Sequence, residues 1–214
     1  MSFEIYTDSA ATLPEGIIKE FNINVISFPY YINGKEFESY TADQGFDAAE
    51  FYSKLKARED MSTSLVNTDR FITAFEPALL EGRDILYIGL SSSLSGTFQS
   101  ARIAADTLKE KYPERKIIAA DTISASLGEG LLVYRAATLR AEGKTIEYVN
   151  DWIMENRLKM NHIFSVDDLF FLKRGGRLSG AAAAIGTLIN IKPVLKLDDE
   201  GHIIPVGKAV GRRK

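Results

Sequence analysis

Short apolar runs alternate with longer amphipathic segments along this chain. Phe3-Glu4-Ile5-Tyr6, Asn24-Val25-Ile26-Ser27-Phe28, the run Asp84 to Leu90 and Lys116-Ile117-Ile118-Ala119-Ala120 each read as a strand. Helices are predicted at roughly Pro14–Phe21, Thr68–Leu80, from the serine stretch to about Tyr112, from Ser124 to about Ala141, and over 145–158. Strand alternating with helix predicts an open parallel sheet covered by helices on both faces. Within this frame Tyr31-Ile32-Asn33-Gly34-Lys35-Glu36-Phe37 carries an Asn-Gly hairpin signal. Asp47 is placed to cap a helix reaching Lys56, with Phe46, Phe51 and Leu55 on its buried side. Met61 to Asn67 reads as a hydroxyl-rich loop, and Thr145 as the cap of a helix anchored by Tyr148, Val149 and Trp152.

From His162 the pattern changes. Ile163–Val166 reads as a strand, Asp167–Leu172 as a short helix, and Lys173-Arg174-Gly175-Gly176-Arg177 as a basic glycine turn. A small-residue helix is expected over Ser179–Leu188. Two further strands then flank the turn Asp198-Asp199-Glu200-Gly201. The expected fold class is therefore α/β in two units: residues 1–159 as a parallel-sheet domain, and 160–214 as a smaller α+β domain with antiparallel strands. One hairpin with little helix to cover it makes the second domain read as incomplete.

The composition narrows the function classes. The chain has 214 residues, 45% of them apolar, and a net charge of −3, so the molecule as a whole is not a nucleic-acid binder by charge. Residues 169–214 nevertheless hold nine Lys/Arg against three acids, a basic carboxy-terminal segment that either meets an acidic partner or, the simpler reading, balances the acidic remainder of the chain. The absence of cysteine excludes disulfides, thiolate catalysis and zinc–thiolate sites. The start of the chain has no charged-then-apolar leader pattern and no run is long and apolar enough to span a bilayer. A cytoplasmic protein without stable membrane insertion is expected.

The richest candidate chemistry lies in Ser91-Ser92-Ser93-Leu94-Ser95-Gly96-Thr97-Phe98-Gln99-Ser100, between a strand and a helix. The first N–H groups of a helix lack intrahelical partners, the helix dipole favours negative charge there, and hydroxyls add donors. The physics serves a carboxylate or a phosphate equally well, and a plain helix cap needs fewer hydroxyls. Ser95 also invites comparison with a nucleophile elbow, but Ser93 and Thr97 stand where that motif has glycines. Asp8 and Asp121 end strands on the expected ligand edge, where capping competes with base or metal roles. His162 and His202 have no motif around them. The Lys173–Arg177 turn lacks interleaved aromatic platforms and suits a protein contact or a phosphate better than a nucleic acid.

Several of these pieces together resemble the DegV family of bacterial fatty-acid-binding proteins. They are Tyr6-Thr7-Asp8-Ser9, Ser62-Thr63-Ser64, Ser91 to Ala101, Asp121-Thr122, Leu172 to Arg177 and Asn190-Ile191-Lys192-Pro193, spread through the whole chain. The resemblance implies a two-domain carrier without a cofactor or metal, holding a long-chain, palmitate-like fatty acid between its domains. Thr63 and Ser95 would hold the carboxylate, with Ser64, Ser92 and Gly96 as neighbours. It also implies that a separate fatty acid kinase phosphorylates the bound lipid for phospholipid synthesis, with Arg177 a partner-facing contact. The carrier itself would not be an enzyme; the alternative is an acyl or phosphoryl hydrolase or transferase using Ser95. Two features depart from the family pattern. Leu65-Val66 follows Ser64 where Gln-Pro is usual, and the chain ends before the position of a head-group histidine, which His202 does not match.

Overall fold

The computed structural model describes residues 3–40, 47–178 and 191–211. Strand β1 (Phe3–Asp8) leads through a 3-10 turn (Ser9–Ala11) to helix α1 (Glu15–Glu20) and β2 (Asn24–Ile26). The hairpin β3 (Pro29–Ile32) and β4 (Lys35–Glu38) precedes α2 (Ala48–Lys56), β5 (Met61–Thr63) and α3 (Thr68–Leu80). Then follow β6 (Asp84–Gly89), α4 (Thr97–Lys111), β7 (Ile117–Asp121), α5 (Ser126–Ala141) and α6 (Ile146–Asn156). Beyond them lie β8 (Ile163–Phe164), α7 (Leu169–Arg174), β9 (Ile191–Leu197) and β10 (Ile203–Val210).

The main sheet has the order β2-β1-β6-β7, all parallel, as the alternation of strand and helix predicts. Ile85, Leu86, Tyr87 and Ile88 are all fully buried, because β6 is central and helices cover both of its faces. On one face α3 and α4 bring Phe71, Phe75, Ala101, Ala104 and Leu108 onto Tyr87 and Ile85. On the other, α5 and α6 bring Val133, Ala136, Val149 and Ile153 onto Ile5, Leu86 and Ile88. Alanines on α4 and α5 let those helices lie close to the sheet.

Two small antiparallel sheets are built beside this core. In the first, order β4-β3-β5, Asn33 and Gly34 take φ of 50° and 78°, the left-handed pair that a two-residue hairpin requires. The segment 61–63, expected as loop, is instead strand β5, which pairs antiparallel with β3 and sets Thr63 opposite Tyr30. A three-residue edge strand contributes too few positions for an alternation to show. The second small sheet, β10-β9-β8, confirms the antiparallel hairpin around residues 198–201.

Capping follows the sequence closely. Asp47 accepts from Glu50 N, Asn67 from Arg70 N, Thr145 from Tyr148 N and Asp168 from Phe170 N. The buried face of α6 differs from expectation: Ile146, Val149 and Ile153 are buried, whereas Tyr148 is exposed under Lys144. Spacing of three and four from Val149 fits Ile146 and Ile153, and it excludes Tyr148, one residue away. Phe51 and Leu55 are half-buried on α2, which has no fully buried residue. Phe46 and the expected helix Ser179–Leu188 lie outside the described residues.

Helix α5 approaches the 3-10 turn after β1 more closely than a side chain allows. A methyl at Gly130 would stand 2.4 Å from the Ala11 carbonyl oxygen. Gly130→Ala is therefore expected to destabilise the fold by about 1–3 kcal/mol through overpacking. That outcome opposes the roughly 1 kcal/mol that alanine gains over glycine inside a free helix. A urea-unfolding midpoint equal to or above that of the parent would refute the close approach.

Candidate functional site

The parallel strands end at a common edge, and one side chain organises it. Asp8, fully buried at the end of β1, accepts hydrogen bonds from Tyr87 Oη at 2.7 Å, Leu90 N at 3.0 Å and Ala10 N at 3.0 Å. Burial pushes its carboxyl above the usual range, while these donors pull the other way. The Leu90 bond fixes the chain as it leaves β6 for the serine stretch. Asp121 Oδ1, at the end of β7, accepts from Ser92 N and Ile123 N. Both aspartates thus do the capping and loop bonding weighed for them in the sequence.

The serines divide into two sets. Ser91 Oγ donates to the Gly201 carbonyl at 3.2 Å, and Ser93 Oγ to the Glu200 carbonyl at 2.6 Å. These two hold the turn between β9 and β10. Ser95 faces another way: its Oγ accepts from Thr97 N at 3.2 Å and shares a 2.9 Å hydrogen bond with Thr97 Oγ1. Thr97 Oγ1 in turn accepts from Val66 N at 3.1 Å. Thr97 has one hydroxyl proton to give; given to Ser95, it leaves the Ser95 proton for a ligand.

This tie brings the two hydroxyl loops together. The Ser64-Leu65-Val66 segment that follows Thr63 at the end of β5 lies against the start of α4, where a methyl at Gly96 would stand 3.3 Å from Leu65 Cδ2. Arg177 joins them through Nε, which donates to the Leu94 carbonyl at 3.0 Å. Leu65 and Val66 of one loop thus meet Gly96 and Thr97 of the other at one junction, with Arg177 held to Leu94 beside it. Ser92 does not share it in the same way, for its exposed residue is tied through its amide to Asp121 on β7.

A cavity of about 510 Å³ opens beside the junction, within the range of small-molecule sites. Its walls come from β3 and α2 (Tyr30, Phe51, Leu55), Asp60 with β5 (Met61 to Thr63), and α7 with the turn after it (Phe171, Arg174, Arg177). Thr63 and Arg177 line it directly; Ser64, Ser92, Ser95 and Gly96 are not on its wall. Arg174 was not singled out within the basic turn, yet it lines the cavity, donates to the Met61 carbonyl at 3.0 Å and stacks over Phe170 and Phe171. The aromatic residues of α7 are not buried core: Phe171 lines the cavity, Phe170 is exposed, and both lie beneath the Arg174 guanidinium. Their signal in the sequence was the run Phe170-Phe171 next to Lys173-Arg174, which becomes legible only once β5 is placed against it.

Chemistry at the remaining candidates is limited by their contacts. Among the described residues no histidine or carboxylate hydrogen-bonds to Ser95 Oγ, so the base that a nucleophile needs does not stand beside it. His162 lies 3.4 Å from Ser124 Oγ through Nδ1 and stacks on Phe164, and burial lowers its pKa. His202 is exposed on the β9–β10 turn, near Asp198 and Glu200. No described helix is long and apolar enough to cross a membrane.

Comparison with known proteins agrees with this architecture. A DegV domain-containing protein of Clostridium perfringens is 45% identical over 212 residues, covering 99% of this chain and 72% of that protein. A DegV family protein from Thermus thermophilus, described by its fatty acid binding, superposes with a TM-score of 0.83 at 33% identity, over 99% of this chain and 72% of that one. DegV from Bacillus subtilis, described as a fatty acid binding protein, gives a TM-score of 0.80 at 29% identity, over 100% and 73%. The family model described as "Uncharacterised protein, DegV family" matches residues 2–214, and the chain belongs to the DegV family.

Proposed function

We propose that this protein binds a long-chain fatty acid, with the acyl chain in the cavity between β5, α2 and α7 and the carboxylate at the junction of the two hydroxyl loops. The observation that carries the reading is the placement of Thr63 on a cavity wall that sets Tyr30, Phe51, Leu55, Met61 and Phe171 beside the polar Asp60, Ser62, Arg174 and Arg177, next to a loop bonded to the Ser95–Thr97 corner. Thr63 and Ser95 are the principal head-group donors, and Ser64, Ser92 and Gly96 the surrounding loop. The start of α4 adds the favourable end of a helix dipole. Relatives described as fatty-acid binding support the ligand class. The same reading divides the chain into residues 1–159 and 160–214, with the lipid between the two units.

On this reading the protein is a carrier and the phosphoryl-transfer chemistry belongs to a partner kinase, for which Arg177 is a contact. Arg177 is exposed beside the cavity and held to the serine stretch by Leu94, a position from which it can meet a second protein near the lipid head group.

Two experiments test this. Thr63→Ala is expected to weaken palmitate binding, measured by calorimetry, by about fivefold to tenfold, the usual worth of one neutral hydrogen bond. Ser95→Ala should weaken binding at least as much and lower stability by about 0.5–2 kcal/mol through the lost bond to Thr97 N. Unchanged affinity in both variants would remove the proposed carboxylate site. Arg177→Ala is expected to leave palmitate affinity unchanged and to slow acyl-phosphate formation by an added fatty acid kinase. Equal rates for parent and variant would take Arg177 out of the partner contact.

A further inference from the structure

Behind the ligand edge lies a second cluster of acids that the lipid reading does not use. Glu129, on the first turn of α5, is fully buried, as are Thr7, Asp8 and Tyr87 around it. Thr7 Oγ1 donates to Glu129 Oε1 at 3.4 Å, and the Glu129 and Asp8 carboxyl groups are within hydrogen-bonding reach of one another. Glu129 Oε2 receives no hydrogen bond from any donor. Asp8, by contrast, already accepts from Tyr87, Leu90 and Ala10.

A buried carboxylate oxygen with no donor is costly, and two carboxylates in contact without a cation cannot both stay ionised. Among the described residues no Lys or Arg hydrogen-bonds to either group. The unequal supply of donors decides where a shared proton sits: three donors stabilise charge on Asp8, whereas Glu129 has a single long one. A proton on Oε2 turns the unpartnered oxygen into a donor toward Asp8.

We infer that Glu129 is a neutral carboxylic acid hydrogen-bonded to the Asp8 carboxylate, and that this proton fastens α5 to the ligand edge as a lock that weakens as pH rises. The groups facing Glu129 from the sheet are Asp8 on β1, Tyr87 on β6 and Asp121 on β7; the two aspartates oppose its ionisation, while Tyr87, its hydroxyl given to Asp8, carries no charge. On the neighbouring turn of α5, Gly128 packs against His162 and Ser124. Burial and the Asp8 charge accordingly hold Glu129 well above the ordinary carboxyl range. The lock reaches the serine stretch because Asp8 also holds Leu90 N. Ionising Glu129 sets a second negative charge against the residue that fixes that loop.

The sign follows from linkage. The native state keeps a proton that the unfolded chain loses near the ordinary glutamate value. Stability is therefore full below that value and declines as pH rises toward the raised native one. Urea unfolding of the ligand-free protein from mildly acidic to mildly alkaline pH is expected to show the folding constant of the parent falling by up to about tenfold per pH unit from this group. Glu129→Gln keeps a donor for Asp8 and an acceptor for Thr7, and should remove that slope while remaining more stable than Glu129→Ala. A slope in Glu129→Gln parallel to the parent's would overturn the inference. Should the variant not fold, carboxyl-carbon NMR of the glutamate-labelled parent decides. One glutamate still protonated at neutral pH supports the lock, and ordinary titration of every glutamate refutes it. No ligand enters either measurement, so a negative result leaves the fatty-acid reading standing.

Discussion

The burial of the Asp8 carboxylate constrains everything around the ligand edge. A charged group withdrawn from water costs several kcal/mol unless its oxygens are hydrogen-bonded, and its donors come from three places that must therefore meet. Ala10 turns the chain sharply after β1, Tyr87 reaches across from β6, and Leu90 brings in the start of the serine stretch. Tyr87 is itself pinned from the other side, its ring 5.0 Å from Phe71 and 6.2 Å from Phe75 on α3. The helical layer, the central strand and the loop at its end are thereby one mechanical unit. A loop fastened in this way can hold hydroxyls in a fixed geometry although it lies at the surface.

The same loop serves two neighbours, and this explains its unusual number of serines. Ser91 and Ser93 clamp the β9–β10 turn through backbone carbonyls, while Ser95 and Thr97 tie in the segment after β5. The clamp is tight. Gly201 takes φ of +83°, and a methyl there would stand 2.1 Å from Ser91 Oγ. A residue with a side chain would meet both backbone strain and a clash at that point. The serine stretch is consequently a point of attachment for both the β9–β10 turn and the segment after β5, with the cavity alongside it.

Much of this was legible in the sequence, and the exceptions have physical causes. The parallel sheet followed from unbroken apolar runs such as Ile85 to Ile88, and the hairpin from Asn33-Gly34; both signals are local and strong. The meeting of the two hydroxyl loops was accessible only through family resemblance, because Val66 and Thr97 lie 31 residues apart and share no pattern. Excess hydroxyls correctly marked the serine stretch as more than a cap. Counting them could not assign Ser91 and Ser93 to a turn more than a hundred residues away. Glu129 was missed for a similar reason: a lone acid in the first turn of a helix reads as a dipole partner facing solvent. Only the fold reveals that Gly130 lets that turn sink against the 3-10 turn after β1, while Gly128 leaves room for His162 and Ser124.

On the proposed reading, the division of labour between cavity and junction has an energetic logic. A saturated sixteen-carbon chain offers about 0.8 kcal/mol per buried methylene, roughly 10 kcal/mol before the costs of ordering, so affinity does not require an ion pair at the head group. Hydroxyl and amide donors are weaker than a guanidinium, and for a carrier that is an advantage. A carboxylate held by neutral donors keeps its basicity, whereas a bidentate arginine would stabilise its charge and dull the oxygen that must attack a phosphoryl group. Arg174 and Arg177 line the same cavity as Thr63 but give hydrogen bonds to the backbone there, Arg174 to the Met61 carbonyl and Arg177 to the Leu94 carbonyl. Positive charge near the reacting end then serves encounter with an acidic partner, where it acts over distance, rather than capture of the lipid.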